Sequence, residues 1–142
     1  MKLVIDASVV LSWLLREPTS EDAALAFNVL ESLATPAAEA FMPAIGFLEI
    51  ANVVARVEAK GLVDAQRIGG FMEMLRTLPL RVDHDTAALA LGPVLDLARR
   101  HRLSAYDAAY LELALRRGLP LASLDAQLAK AAAAAGVPYP TR

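Results

Sequence analysis

Short apolar runs at residues 2–6, 40–42, 80–82 and 120–122 alternate with longer stretches of helical periodicity, and this alternation constrains the fold more than any other feature. Strands that each return through a helix lie side by side in a mostly parallel sheet, with helices on its faces. Caps and breakers mark the helices between them. The first is expected from Ser8 or a neighbour to Pro18, and the second from Thr19 and Ser20 to about Leu33. Others are expected over 45–60, 64–76, 86–101 and 104–117, and a seventh from Asp125 to Gly136. Residues 137–139 offer a fifth strand, which Pro138 and Pro140 confine to a sheet edge. The expectation is one α/β domain over 1–142, three-layered, with a mostly parallel five-stranded sheet.

Composition narrows the chemistry. Over 142 residues, 56% are hydrophobic, with 29 Ala and 24 Leu, which excludes a disordered chain and favours helices. There is no Cys, so disulfides, thiol catalysis and Cys-ligated zinc are excluded, and a reducing cytoplasm is the expected location. No apolar run approaches the roughly 20 residues of a membrane span. Asp6 interrupts what would otherwise be a signal-peptide core.

The acids carry the functional signal. In open parallel sheets, sites form beyond the carboxyl ends of the strands. Asp6 closes the first strand, Glu49 follows the second near a helix start, Asp107 lies in the first turn after the Ser104 cap, and Asp125 follows the fourth strand. Asp107 and Asp125 could equally be helix caps. Asp6 is harder to explain as structure, because an unpaired carboxylate is costly to bury. Glu49, Asn52 and Arg56 form a polar stripe on an otherwise apolar helix, as expected beside a wet cleft. Four clustered carboxylates repel one another unless a hard cation neutralises them, and Mg²⁺ or Mn²⁺ with its waters does this. The chemistry implied is phosphoester hydrolysis.

Taken together, Val4-Ile-Asp6-Ala-Ser8-Val9, Pro43 with Glu49-x-x-Asn52, Leu103-Ser-Ala-Tyr-Asp107-Ala-Ala-Tyr110 and Pro120-Leu-Ala-Ser-Leu-Asp125 resemble the PIN-domain ribonucleases, and among them the VapC toxins of toxin–antitoxin pairs; Tyr106 and Tyr110 are expected to pack near Asp107. The resemblance spans essentially the whole chain in the family's order. It implies a five-stranded parallel sheet and a Mg²⁺-dependent endoribonuclease in which Mn²⁺ can substitute. Asp6 and Asp107 would be the main metal ligands, with Glu49 and Asp125 completing the catalytic set. Ser8 and Ser123 would orient the site, and Asn52 would help position a phosphate or Glu49. The family often has Thr where Ser123 stands, and Ser keeps the hydroxyl. An in-line attack by water would leave a 5′-phosphate. The family also implies a homodimer and a VapB-type antitoxin whose C-terminal segment crosses the active site.

The charge distribution agrees with an RNA substrate. The formal charge is −2, and without the four acids it would be +2. Arg99, Arg100, Arg102 and Arg116 are the candidates for RNA phosphates, with Arg16 and Arg56 weaker ones. Trp13, Phe27, Phe41 and Phe47 are expected in the core. Two phosphate-handling alternatives fail on spacing. A receiver domain, to which Asp83 after the third strand points, needs adjacent acids after strand one, and a haloacid-dehalogenase-type phosphatase needs Asp where Ser8 stands. A catalytically silent PIN-like RNA-binding or interaction module is the remaining alternative.

Overall fold

The computed structural model describes residues 1–140 other than Arg16 and Pro18. Among these residues, four strands form one parallel sheet: β1 (Lys2–Ile5), β2 (Glu39–Pro43), β3 (Leu80–Asp83) and β4 (Leu121–Ala122), in the order β3-β2-β1-β4. In β1, Leu3, Val4 and Ile5 are fully buried, as expected for a strand covered on both faces. Its Val4 lies level with Phe41 of β2 and Leu121 of β4. The chain leaves β1 outward through β2 and β3, then returns to β4 on the opposite flank. A topological switch point therefore lies beyond the carboxyl end of β1.

Helices α1 (Ala7–Leu15), α2 (Glu21–Leu33), α3 (Ala44–Ala59) and α4 (Ala65–Thr77) precede β3. Ser20 and Asp64 cap α2 and α4 by accepting the N–H of Ala23 and Arg67, as Ser and Asp do at these positions. After β4, α8 (Ala126–Ala134) is capped by Asp125. The expected end of the first helix at Pro18 lies outside the described residues.

The expected helix over 86–101 is broken in the structure. It forms α5 (Thr86–Leu89), a wide turn over Ala90–Val94, and α6 (Leu95–His101). Pro93 supplies no N–H, and Gly92 leaves helical geometry at φ −118° and ψ −106°. A proline inside a helix forces such a break. The following α7 (Ala105–Arg117) is buried continuously from Ala108 to Ala114 and packs on β1, β2 and β4. Gly118 ends it in the left-handed conformation, φ 63°.

The expected fifth strand at 137–139 is absent. The segment gives the sheet one backbone bond, from the Leu121 N–H to the Pro138 carbonyl at 3.0 Å. Pro138 and Pro140 have no N–H with which to extend the ladder. Phe27 is also not core: it is 55% exposed on α2. Trp13 does pack against the core, its indole N–H donating to the Ala26 carbonyl at 2.8 Å. No helix of the described residues is long and apolar enough to cross a membrane.

Candidate active site

Asp6 follows β1 directly and is 4% exposed. Two serine hydroxyls, of Ser8 and Ser123, donate to its Oδ2, each at 2.7 Å. The serines are themselves held by backbone: the N–H of Leu124 donates to Ser8 Oγ and the N–H of Asp125 to Ser123 Oγ, both at 3.0 Å. The loop after β4 is thus sewn to the start of α1, and the Asp6 carboxylate is fixed in one orientation. Burial raises the Asp6 carboxyl above its ordinary pKa; the serine bonds oppose the rise and the charge of Asp125 adds to it.

Asp107 is half-buried in the first turn of α7, and its N–H is capped by Ser104 Oγ at 3.1 Å. Its side chain is left to face the other acids. Burial raises its pKa first, and the charges of Asp125 and Asp6 raise it further. Glu49, half-buried on α3, is raised by burial and by the charges of Asp6 and Asp107. The Tyr110 hydroxyl donates to its Oε1 at 2.8 Å and works the other way. Asp125 caps α8, accepting the Leu128 N–H at 2.8 Å, and still acts on Asp6 and Asp107.

Asp6 and Asp107 are therefore the two acids that feel or act on all three others. None of the four joins an ion pair among the described residues. Nor do three His, Asp or Glu side chains there form a ready-made metal cage. That donor set suits a hard cation that keeps several waters and takes only one or two protein carboxylates.

The other candidates fall elsewhere. Asn52 is exposed one turn beyond Glu49, with no hydrogen bond between the two. Arg99 and Arg100 lie in the last turn of α6, and Arg102 is its left-handed cap at φ 54°. Arg16 lies outside the described residues. Arg116, expected against RNA phosphate, is occupied within the protein. Its guanidinium donates to both oxygens of Asp83, at 3.1 and 2.7 Å, and its Nε donates to both oxygens of Glu112. Asp83 also accepts from Arg117 at 3.3 Å, and Arg117 in turn lies 4.2 Å from the centre of the Phe41 ring. Asp83 is thus a structural anion.

Sequence reasoning missed Gly46, and expected Tyr110 only to pack near Asp107, three residues before it on the same helix face, without its bond to Glu49. Gly46 is needed for close approach. A Cβ there would stand 2.4 Å from Met42 Cγ and Sδ and 2.5 Å from the Tyr110 hydroxyl. Gly46→Ala is expected to destabilise the protein by about 2 kcal/mol, measured by denaturant titration.

A parallel sheet with carboxylates gathered at its switch point defines a class. A PIN-domain family model matches residues 3–134, and the chain belongs to that family. Within it, the chain is 32% identical over 130 residues to Ribonuclease VapC3 of Pyrobaculum aerophilum, covering 92% of this chain and 94% of the relative. Solved structures share the fold at lower identity. PAE2754 from Pyrobaculum aerophilum superposes with a TM-score of 0.63 at 20% identity, covering 92% of this chain and 79% of that one. Mycobacterium tuberculosis VapC20, described as a Sarcin-Ricin loop cleaving toxin, gives 0.63 at 16%, covering 95% of each chain. FitAcB from Neisseria gonorrhoeae gives 0.62 at 19%, covering 99% and 97%.

Proposed function

We propose that the protein is a VapC-type toxin, an endoribonuclease that hydrolyses RNA phosphodiester bonds with Mg²⁺, for which Mn²⁺ can substitute. What supports this reading is that Asp6 and Asp107 each interact electrostatically with all three other acids of the group, and that no cationic side chain pairs with any of the four among the described residues. Asp6 and Asp107 would hold the ion, with Glu49 and Asp125 at its margins. The bound cation supplies neutralisation of the phosphate and activation of water. Ser8 and Ser123 hold Asp6 in a fixed orientation, so little reorganisation accompanies binding. Arg99 and Arg100 in the last turn of α6, and Arg102 at its cap, precede Asp107 in the chain and would meet RNA phosphates beside the acids.

An antitoxin of VapB type is the expected partner. An open apolar groove of about 980 Å³ lies along α3 and α4, lined by Phe47, Ile50, Val54, Met72, Leu75 and Leu78. It shares α3 with Glu49, so a partner segment lying there could continue across the acids.

The test is to incubate antitoxin-free protein with cellular RNA and Mg²⁺, Mn²⁺ or EDTA, and to map the cut ends. Cleavage with either metal, none with EDTA, and 5′-phosphate ends are expected. Ends bearing 2′,3′-cyclic phosphate would show attack by the ribose hydroxyl and refute the mechanism. Metal binding without cleavage would indicate a silent RNA-binding module. Because the acids are raised by burial and mutual charge, cleavage should fall in mild acid, above the ordinary carboxylate range, as protons occupy the site. A pH–rate profile checks this.

A further inference from the structure

Tyr110 is fully buried in α7, one turn after Asp107, and reaches 61 residues back along the chain to Glu49. Its phenol oxygen sits where three elements meet. The backbone of Ala7, the first residue of α1 and the neighbour of Asp6, lies close enough to influence the phenol. The phenol donates its single O–H to Glu49 Oε1, 2.8 Å away. On the α3 side, Gly46 leaves the space the phenol oxygen needs, since any side chain there would displace it.

We propose that Tyr110 is a positioning residue that locks the Glu49 carboxylate toward Asp6 and Asp107, with Gly46 as the gap that admits it. Glutamate has one more rotatable bond than aspartate, and Glu49 is only half-buried with no cationic partner among the described residues. The phenol therefore supplies the restraint that the serines supply for Asp6. Burial, together with the charges of Asp6 and Glu49, drives the phenol pKa far up, so Tyr110 stays a protonated donor throughout the working pH range.

The test is a double-mutant cycle with Tyr110→Phe, Glu49→Ala and both together. Only its kinetic arm rests on the ribonuclease reading. In metal-free protein, the Glu49 carboxyl ¹³C resonance should shift and broaden in Tyr110→Phe. In RNA-free protein, Mn²⁺ affinity should fall threefold or more. In cleavage, kcat should fall tenfold or more while the KM for RNA stays within twofold. In the Glu49→Ala background, adding Tyr110→Phe should change affinity and kcat by less than twofold. An unmoved Glu49 resonance, or an equal loss in the Glu49→Ala background, would overturn the proposal, the latter by showing that Tyr110 acts only through packing. If wild type cuts no RNA, the functional reading fails, and the resonance and Mn²⁺ arms still decide on Tyr110.

Discussion

Asp6→Asn should lower RNA cleavage by roughly a thousandfold or more and leave the fold intact, with a melting temperature equal to or above that of wild type. The first half follows from the coupling of Asp6 to all three other acids, among which it would hold the cation. Loss of supporting residues alone typically costs about 10–100-fold, and a central ligand costs more. The second half follows from electrostatics. The folded state raises the Asp6 pKa, so it binds the proton more tightly than the unfolded chain does. The stability tied to that proton is complete below the unfolded pKa and is lost as pH rises through the folded pKa. At neutral pH the buried carboxylate therefore opposes folding. Asparagine removes the charge, and its Oδ1 can still accept from Ser8 and Ser123. Cleavage assays and thermal melts read the two halves separately. A fall of more than about 5 °C, roughly 1 kcal/mol or more, would mean that the carboxylate holds the fold together.

Arg116→Ala should do the reverse, destabilising the protein by about 3–5 kcal/mol in urea titration. Arg116 bridges Asp83 and Glu112, whose side chains are 1% and 6% exposed, and truncation strands two buried carboxylates. Arg117 reaches Asp83 only at 3.3 Å and does not reach Glu112, so it cannot replace Arg116. Removing all three charges with apolar residues of similar volume should recover much of the loss, since the damage comes from the unpaired charge. The pH dependence has a definite sign. Burial works to raise the Asp83 carboxyl, but its bonds to Arg116 and Arg117 outweigh it and the pKa is lowered. Its contribution is present above the unfolded pKa and lost as pH falls through the folded one. Acid should therefore narrow the gap between wild type and Arg116→Ala, and urea titrations across the acid range test that.

The two clusters show why some of this molecule was legible in sequence and some was not. Asp6 could be found because a carboxylate at the end of an apolar strand conflicts with its local surroundings. Ser20, Asp64, Ser104 and Gly118 were legible as helix ends because capping is decided within about four residues. Asp125 was ambiguous between cap and site, and the structure shows both: it caps α8 and its charge acts on Asp6 and Asp107. Partnerships across the chain were not legible. Arg116 meets Asp83 from 33 residues away and Tyr110 meets Glu49 from 61, and no local pattern encodes either pairing. Arg116 fits either a helix-end charge or an RNA contact in sequence, because a helix-terminal arginine looks the same whether it faces solvent or a buried acid. Pro93 was visible, yet the helical periodicity around it hid the break it causes. The run at 137–139 had the apolar ends of a strand but lacked the donors to pair as one.

The most direct measurement is calorimetric titration of Mg²⁺ or Mn²⁺ into antitoxin-free protein, comparing wild type with Asp6→Asn, Asp107→Asn and the exposed cap variant Asp64→Asn. Wild type and Asp64→Asn should bind the ion alike, and each site variant should lose tenfold or more in affinity. Equal binding by all four proteins would contradict the account, because the acids gathered beyond β1 would then hold no cation.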